Sequence, residues 1–140
     1  MSVDENKALV ERYFETIWNE GEFDKEPEFV DPDIVVHAPP IPGIPAGIAG
    51  PLMIVKTFRA AVPDLHLTND DLLGEGDLVV QRWTARGKHT GDDLFGAAAS
   101  GAELTMTGIN EFRIESGRIA ERWGVMDAAG LLRQLGLVPA

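Results

Sequence analysis

The chain has 140 residues, 44% of them hydrophobic and 25% charged, with no cysteine. One domain over 1–140 is therefore expected, with a core large enough to need neither a disulfide nor a metal to hold it. Twelve basic residues scattered among 23 acidic ones give a net charge of −11, which repels nucleic-acid phosphates and anionic membranes and argues against both as partners. The chain lacks a signal-peptide pattern at Met1–Asn6 and any apolar run approaching about 18 residues, so a soluble, cytoplasmic protein is expected.

The elements follow from periodicity and punctuation. Asp4 can cap a helix running to about Asn19, with Leu9, Val10, Tyr13, Phe14, Ile17 and Trp18 on one stripe and Gly21 just past its end. A short helical turn is predicted near Lys25–Val30 and a strand at Ile34–Ala38. Pro39–Gly50 holds too many prolines and glycines for either ladder, and forms an unusually apolar loop suited to cover a cavity. Pro51 opens a helix carrying Leu52, Val55, Phe58, Arg59 and Val62, which stops at Val62-Pro63. Strands follow at about 65–73, 77–87, 103–114 and 118–126, with hairpin turns at Gly74–Asp77 and Glu115–Arg118. A last helix covers about Ala128–Leu135 and ends at Gly136. This order specifies an α+β domain, its helices packed on one face of a curved sheet.

Within the strand at 103–114 the even positions read Leu104, Met106, Gly108, Asn110, Phe112 and Ile114, which places one amide on an apolar face. A buried amide without partners costs about 1–3 kcal/mol. Asn110 must therefore be satisfied internally, for example at a bulge beside Gly108, or used on a ligand. The predicted cavity wall combines Met106, Asn110 and Phe112 with Tyr13, Trp18 and Phe58 from the two helices.

Several segments together resemble the SnoaL-like polyketide cyclases of the nuclear transport factor 2-like superfamily. They are Val10-Glu11-Arg12-Tyr13-Phe14 leading to Trp18-Asn19-Glu20-Gly21, Val36-His37-Ala38-Pro39, Ala61-Val62-Pro63-Asp64-Leu65, Arg82 to Gly91, and Gly108 to Ile114 through Trp123 to Asp127. The resemblance implies a cone-shaped, curved, mixed or antiparallel sheet covered by N-terminal helices, the cystatin-like α+β barrel. It also implies a deep apolar cavity and homodimerisation through the outer sheet face. Trp83 and Trp123, read as lying on strand faces opposite to the cavity, agree with such a dimer.

That resemblance further implies general acid/base work on an enolisable carbonyl. Asn110 falls where ketosteroid isomerase carries its oxyanion-hole acid, with Tyr13 or Phe14 opposite its tyrosine donor and Ala38 in place of its general base. His37 is a candidate base or a strand-end histidine bonded to backbone; His89, between Gly87 and Gly91, is aimed inward or caps a loop. Arg82 is a carbonyl anchor or a surface ion pair. Many SnoaL-like chains carry Asp directly after the tryptophan; here Gly124 follows Trp123, and the nearest carboxylate, Asp127, serves as an acid or caps the last helix. Thr84 and Gly124 break the resemblance to the limonene epoxide hydrolase triad. No phosphate loop is present and the three histidines are scattered, so neither cofactor nor metal is expected. The expected function is cofactor-independent proton transfer on a hydrophobic, polyketide-like carbonyl substrate, leading to aldol cyclisation or isomerisation; the alternative is a non-catalytic small-molecule binding domain on the same fold.

Overall fold

The computed structural model describes residues 2–139. Helix α1 (Val3–Tyr13) is capped by Ser2 rather than Asp4: the Ser2 hydroxyl accepts from the Glu5 N–H at 3.1 Å while the Glu5 carboxylate accepts from the Ser2 N–H at 3.1 Å. This reciprocal pair satisfies two orphan donors and leaves Asp4 in the first turn, where a negative charge suits the helix dipole. The helix reaches Asn19 as expected, but its last stretch, Phe14–Asn19, is a π-helical turn in which the Glu20 N–H donates to the Glu15 carbonyl at 2.9 Å. Arg59 stabilises that end by donating to the carbonyls of Trp18 at 2.6 Å and Asn19 at 3.2 Å, which have no intrahelical partner. Asn19 then exchanges two hydrogen bonds with the Leu67 backbone, fixing the turn to the sheet.

A 3₁₀ turn at Phe23–Glu28 precedes strand β1 (Val30–His37). Both begin earlier than the sequence pattern indicates, because Pro32 is tolerated inside β1. It is an edge strand, and its pairing register breaks between Val30 and Val35. Helix α2 (Ala49–Ala61) starts two residues before Pro51, which still falls within the first turn, where a missing N–H costs nothing. Four strands follow: β2 (His66–Glu75), β3 (Leu78–Lys88), β4 (Glu103–Glu115) and β5 (Arg118–Met126). The β4–β5 turn is Ser116-Gly117, both with positive φ (52° and 76°), the twist that a two-residue hairpin needs. Helix α3 (Ala128–Gln134) closes the chain.

The five strands form one curved, unclosed sheet in the order β1-β5-β4-β3-β2, antiparallel except for the parallel β1–β5 pair. The predicted α+β class, with a mixed sheet and helices on one face, is therefore the observed one. Leu9, Val10, Tyr13, Phe14 and Ile17 from the N-terminal helix, and Ile54, Val55 and Phe58 from α2, pack onto the concave face carrying Val79, Ala85, Met106, Phe112 and Ile119. Among the described residues no helix is long and apolar enough to cross a membrane.

Candidate functional site

Between the helices and the concave face lies a cavity of about 370 Å³, within the size range of small-molecule pockets. Its walls are aromatic and aliphatic: Tyr13, Phe14 and Trp18 from the N-terminal helix, Ile54 and Phe58 from α2, Met106 and Phe112 from β4. Two loops complete the mouth. Ala38, Pro39 and Pro40 come from the proline-rich segment, whose Ile48 N–H is tied to the Pro32 carbonyl at 3.0 Å. Gly47 (φ +73°) passes so near that carbonyl that a Cβ would sit 2.6 Å from it, which only glycine permits. Phe95 reaches in from the loop after β3, its ring 6.2 Å from that of Phe58.

A row of polar side chains starts at this apolar floor, with Arg122 and Asn110, and runs on into the sheet. The Arg122 guanidinium donates from Nη2 to Asn110 Oδ1 at 3.1 Å, Asn110 Nδ2 donates to Gln81 Oε1 at 2.9 Å, and Gln81 Nε2 donates to Asn69 Oδ1 at 2.5 Å. Arginine is a donor only, so the atom facing it must be the Asn110 oxygen, and each amide down the row is oriented in turn. Gln81 and Asn110 are buried, at 0% and 4% exposure. The requirement that Asn110 be satisfied is thus met internally, by side chains rather than by a bulge, and the amide holds Arg122 as well as facing the cavity.

Arg122 bears no ion pair among the described residues, its Nη1 has no hydrogen-bond partner, and burial pulls its pKa below the ordinary value. It remains a cation, because arginine does not deprotonate in proteins. Gly124 makes room for it: a Cβ there would lie 2.4 Å from Arg122 Nη2 and 2.5 Å from Asn110 Oδ1. Thus the space that a side chain at position 124 would need is taken by a guanidinium. Gly108 does the same for Trp83, whose ring a Cβ would approach to 2.5 Å. The buried Trp83 Nε1 also lacks a partner. Two donors without partners, one of them charged, thus belong to residues that line a largely apolar chamber, both atoms being buried.

The remaining sequence-predicted residues divide sharply. Tyr13, Trp18, Phe58, Met106, Asn110 and Phe112 meet at the cavity. His37 does not: it shares its strand face with Val35, 50% exposed, and lies on the convex side, its Nε2 2.6 Å from Glu121 Oε2 and its ring stacked on Trp123 at 5.0 Å. His89 is buried but turned away, its ring bonded to the Asp92 carbonyl at 2.8 Å and its backbone to Ala102 and Gly101, so it organises the loop after β3. Asp127 caps α3, accepting from the Gly130 N–H at 2.9 Å. Arg82 lies on the convex face, paired with Asp71 at 2.9 Å. Trp83 corrects the expected parity: Val79, Gln81, Trp83 and Ala85 point inward, so only Trp123 of the two indoles lies outside. Gln81, Trp83 and Arg122 are the polar members that sequence reasoning missed. The signal for Arg122 was present in the alternation Ala120, Arg122, Gly124, Met126.

Behind the wall sits one more polar pair. Glu26, 1% exposed, accepts a hydrogen bond from the Tyr13 hydroxyl at 3.2 Å through Oε1, and its Oε2 has no partner. Burial pushes the Glu26 carboxyl up to about 7, the Tyr13 bond acting weakly the other way. Burial, then the Glu26 charge, raises the Tyr13 phenol well above its ordinary value, while Trp18 and the Arg122 charge oppose that shift. Among the described residues no group of three or more His, Asp or Glu side chains is placed to hold a metal ion.

A family model of SnoaL-like polyketide cyclases matches residues 8–135. Among solved structures, TsrD from Streptomyces laurentii is similar with a TM-score of 0.87 at 33% identity, over 99% of this chain and 99% of its own. IdmH from Streptomyces antibioticus, assigned as a polyketide cyclase, gives 0.79 at 32% identity over 94% and 98%. AclR from Streptomyces galilaeus, assigned as a hydroxylase, gives 0.84 at 26% identity over 99% and 89%. No curated protein matches this chain in sequence.

Proposed function

Since this chain belongs to the SnoaL-like polyketide cyclase family, we propose that it binds a flat, hydrophobic, polyketide-like carbonyl compound and moves a proton on it without a cofactor, leading to aldol cyclisation or isomerisation. The observation that carries this reading is the uncompensated Arg122 guanidinium at an apolar floor, held by Asn110, which Gln81 orients, and bearing a buried Nη1 without a partner. A buried cation with no counter-ion is costly and becomes favourable when negative charge appears beside it. An enolate or alkoxide oxygen at Nη1 supplies that charge in the transition state, the condition under which a prearranged donor accelerates a step. Trp83 Nε1 offers a second donor to the same class of ligand.

In this reading Arg122 replaces Asn110 as the direct oxyanion donor, and Asn110 aims it. His37, His89, Asp127 and Arg82 are left with structural work. Asn110→Leu leaves Arg122 Nη2 and Gln81 Oε1 without partners, so it should lower stability by about 2–5 kcal/mol while the folded protein keeps its affinity for apolar ligands and turns over an enolisable ketone on the order of 100-fold more slowly. A change confined to affinity would instead favour a non-catalytic binding domain. The protein is further proposed to be a homodimer: Val35, Ile109 and Val125 are 50–74% exposed beside Trp123 on the convex face, an apolar patch that a second copy would cover.

A further inference from the structure

We propose that Tyr13 and Glu26 form the proton relay of the cavity, with Tyr13 meeting the substrate and Glu26, outside the cavity wall, receiving the proton through it. This rests on the proton-transfer reading above and assigns its base. That reading lacks one: the two histidines and the aspartate suggested by sequence all point elsewhere, and among the described residues the cavity-lining group with a direct hydrogen bond to a buried carboxylate is Tyr13.

The geometry sets how the pair must work. Tyr13 cannot stand as a phenolate, since burial and the neighbouring carboxylate both oppose its ionisation. It can pass a proton only by giving up its own as it receives another. In the forward step the carbonyl-adjacent C–H bond of the substrate breaks and its proton bonds to the Tyr13 oxygen. The Tyr13 O–H proton moves to Glu26 Oε1, giving a neutral carboxylic acid, and the C–H electron pair passes into the enolate whose oxygen faces Arg122. One proton moves at each end and the net negative charge shifts from Glu26 to the substrate, toward the guanidinium. Return of the proton along the same path quenches the enolate or the aldol alkoxide.

Glu26 is suited to be the terminus because its carboxyl titrates near neutral pH, so both forms are populated there. The 3₁₀ turn that carries it packs against β1 and the π-helical turn, and Tyr13 is the sole titratable group among the described residues whose influence on Glu26 is resolved. On those elements Asp33 and Glu15 are exposed and Asp31 is half-buried. The unpartnered Oε2 leaves the carboxylate less stabilised than a structural one would be, which favours proton uptake.

The test uses the whole 140-residue chain and 2-tetralone as probe, following deuterium uptake at the carbonyl-adjacent carbon in D₂O against pH. Wild-type rates should rise through about pH 7 and level off, as the carboxylate form accumulates. Glu26→Gln and Tyr13→Phe should each lose on the order of 100-fold and flatten that rise, and the double variant should be no slower than either single one, the signature of groups acting as a unit. If Glu26→Gln does not fold, Tyr13→Phe alone decides. Exchange by wild type that survives Tyr13→Phe, or keeps its pH dependence in Glu26→Gln, would overturn the relay and leave the proton-transfer reading standing. Absence of exchange in wild type would overturn both.

Discussion

Arg122→Met separates function from stability in a way that few other changes here would. The guanidinium makes one side-chain hydrogen bond, 3.1 Å from Nη2 to Asn110 Oδ1, and no ion pair among the described residues. Losing that charge-assisted bond costs about 1.5–3 kcal/mol. Against it stands the desolvation of an uncompensated buried cation, worth several kcal/mol and relieved by an apolar side chain of similar length. Stability should therefore stay level or rise by up to about 2 kcal/mol, which at roughly 4 °C per kcal/mol places Tm between the wild-type value and about 8 °C above it. Turnover should move the other way, by about 100-fold or more in kcat/KM, because the missing donor acts on charge that develops only in the transition state. Thermal unfolding and the rate of exchange into 2-tetralone, measured on the same preparation, give both numbers. A Tm lowered by more than about 4 °C would mean that Arg122 is a structural residue, and a kcat/KM within about threefold of wild type would remove it from the chemistry.

His37→Ala should leave turnover and its pH dependence unchanged, since the ring lies on the convex face with Glu121 and Trp123. It should also weaken the acid stability of the fold: the His37 bond, then Arg113, lowers the Glu121 pKa, so this carboxylate stabilises the native state above its unfolded pKa, and that contribution is lost as pH falls through the native value. Urea unfolding at pH 3–7 checks it. His89→Ala should destabilise by about 2–4 kcal/mol through the buried volume and the lost bond to the Asp92 carbonyl, with the pH dependence of the proposed exchange unaltered in the protein that remains folded. Light scattering at micromolar concentration should give twice the chain mass; a monomer would contradict the proposed role of the convex patch.

Most of the fold is written in local signals. Gly21, Pro63, Ser116-Gly117 and Gly136 punctuate the elements, and the strands keep their alternation, so boundaries shift by only a few residues. Where boundaries shift more, at β1, the cause is tertiary: an edge position accommodates Pro32, which local reasoning counts against a strand. The site was less legible. On β4 the apolar parity is clean, so Asn110 could be placed. On β3 it is not, because Leu78, Val79 and Val80 are all apolar and Trp83 sits beside Thr84, and either face could be the inner one. Nor does a short turn set the register of β3 against β4, since a long loop joins them. Gln81 and Trp83 were lost for that reason. Arg122 was passed over because charged residues on strands usually face water, and only the space left by Gly124 shows why this one folds inward. Glu26 carries no sequence mark of its burial; it becomes visible when the 3₁₀ turn is docked beneath Tyr13.

The central claim is that this cavity removes a proton from a carbonyl-adjacent carbon and holds the resulting enolate oxygen at Arg122. Solvent deuterium exchange measures that step without knowledge of the natural substrate or of the later bond-forming chemistry. Across a panel of polycyclic and aromatic ketones the protein should accelerate uptake at the carbonyl-adjacent position for those that fit a chamber of about 370 Å³. The same ketones should show saturable binding, and the acceleration should be lost in Arg122→Met. Saturable binding of these ketones with no protein-dependent exchange in any of them would contradict the account and identify the protein as a binding domain.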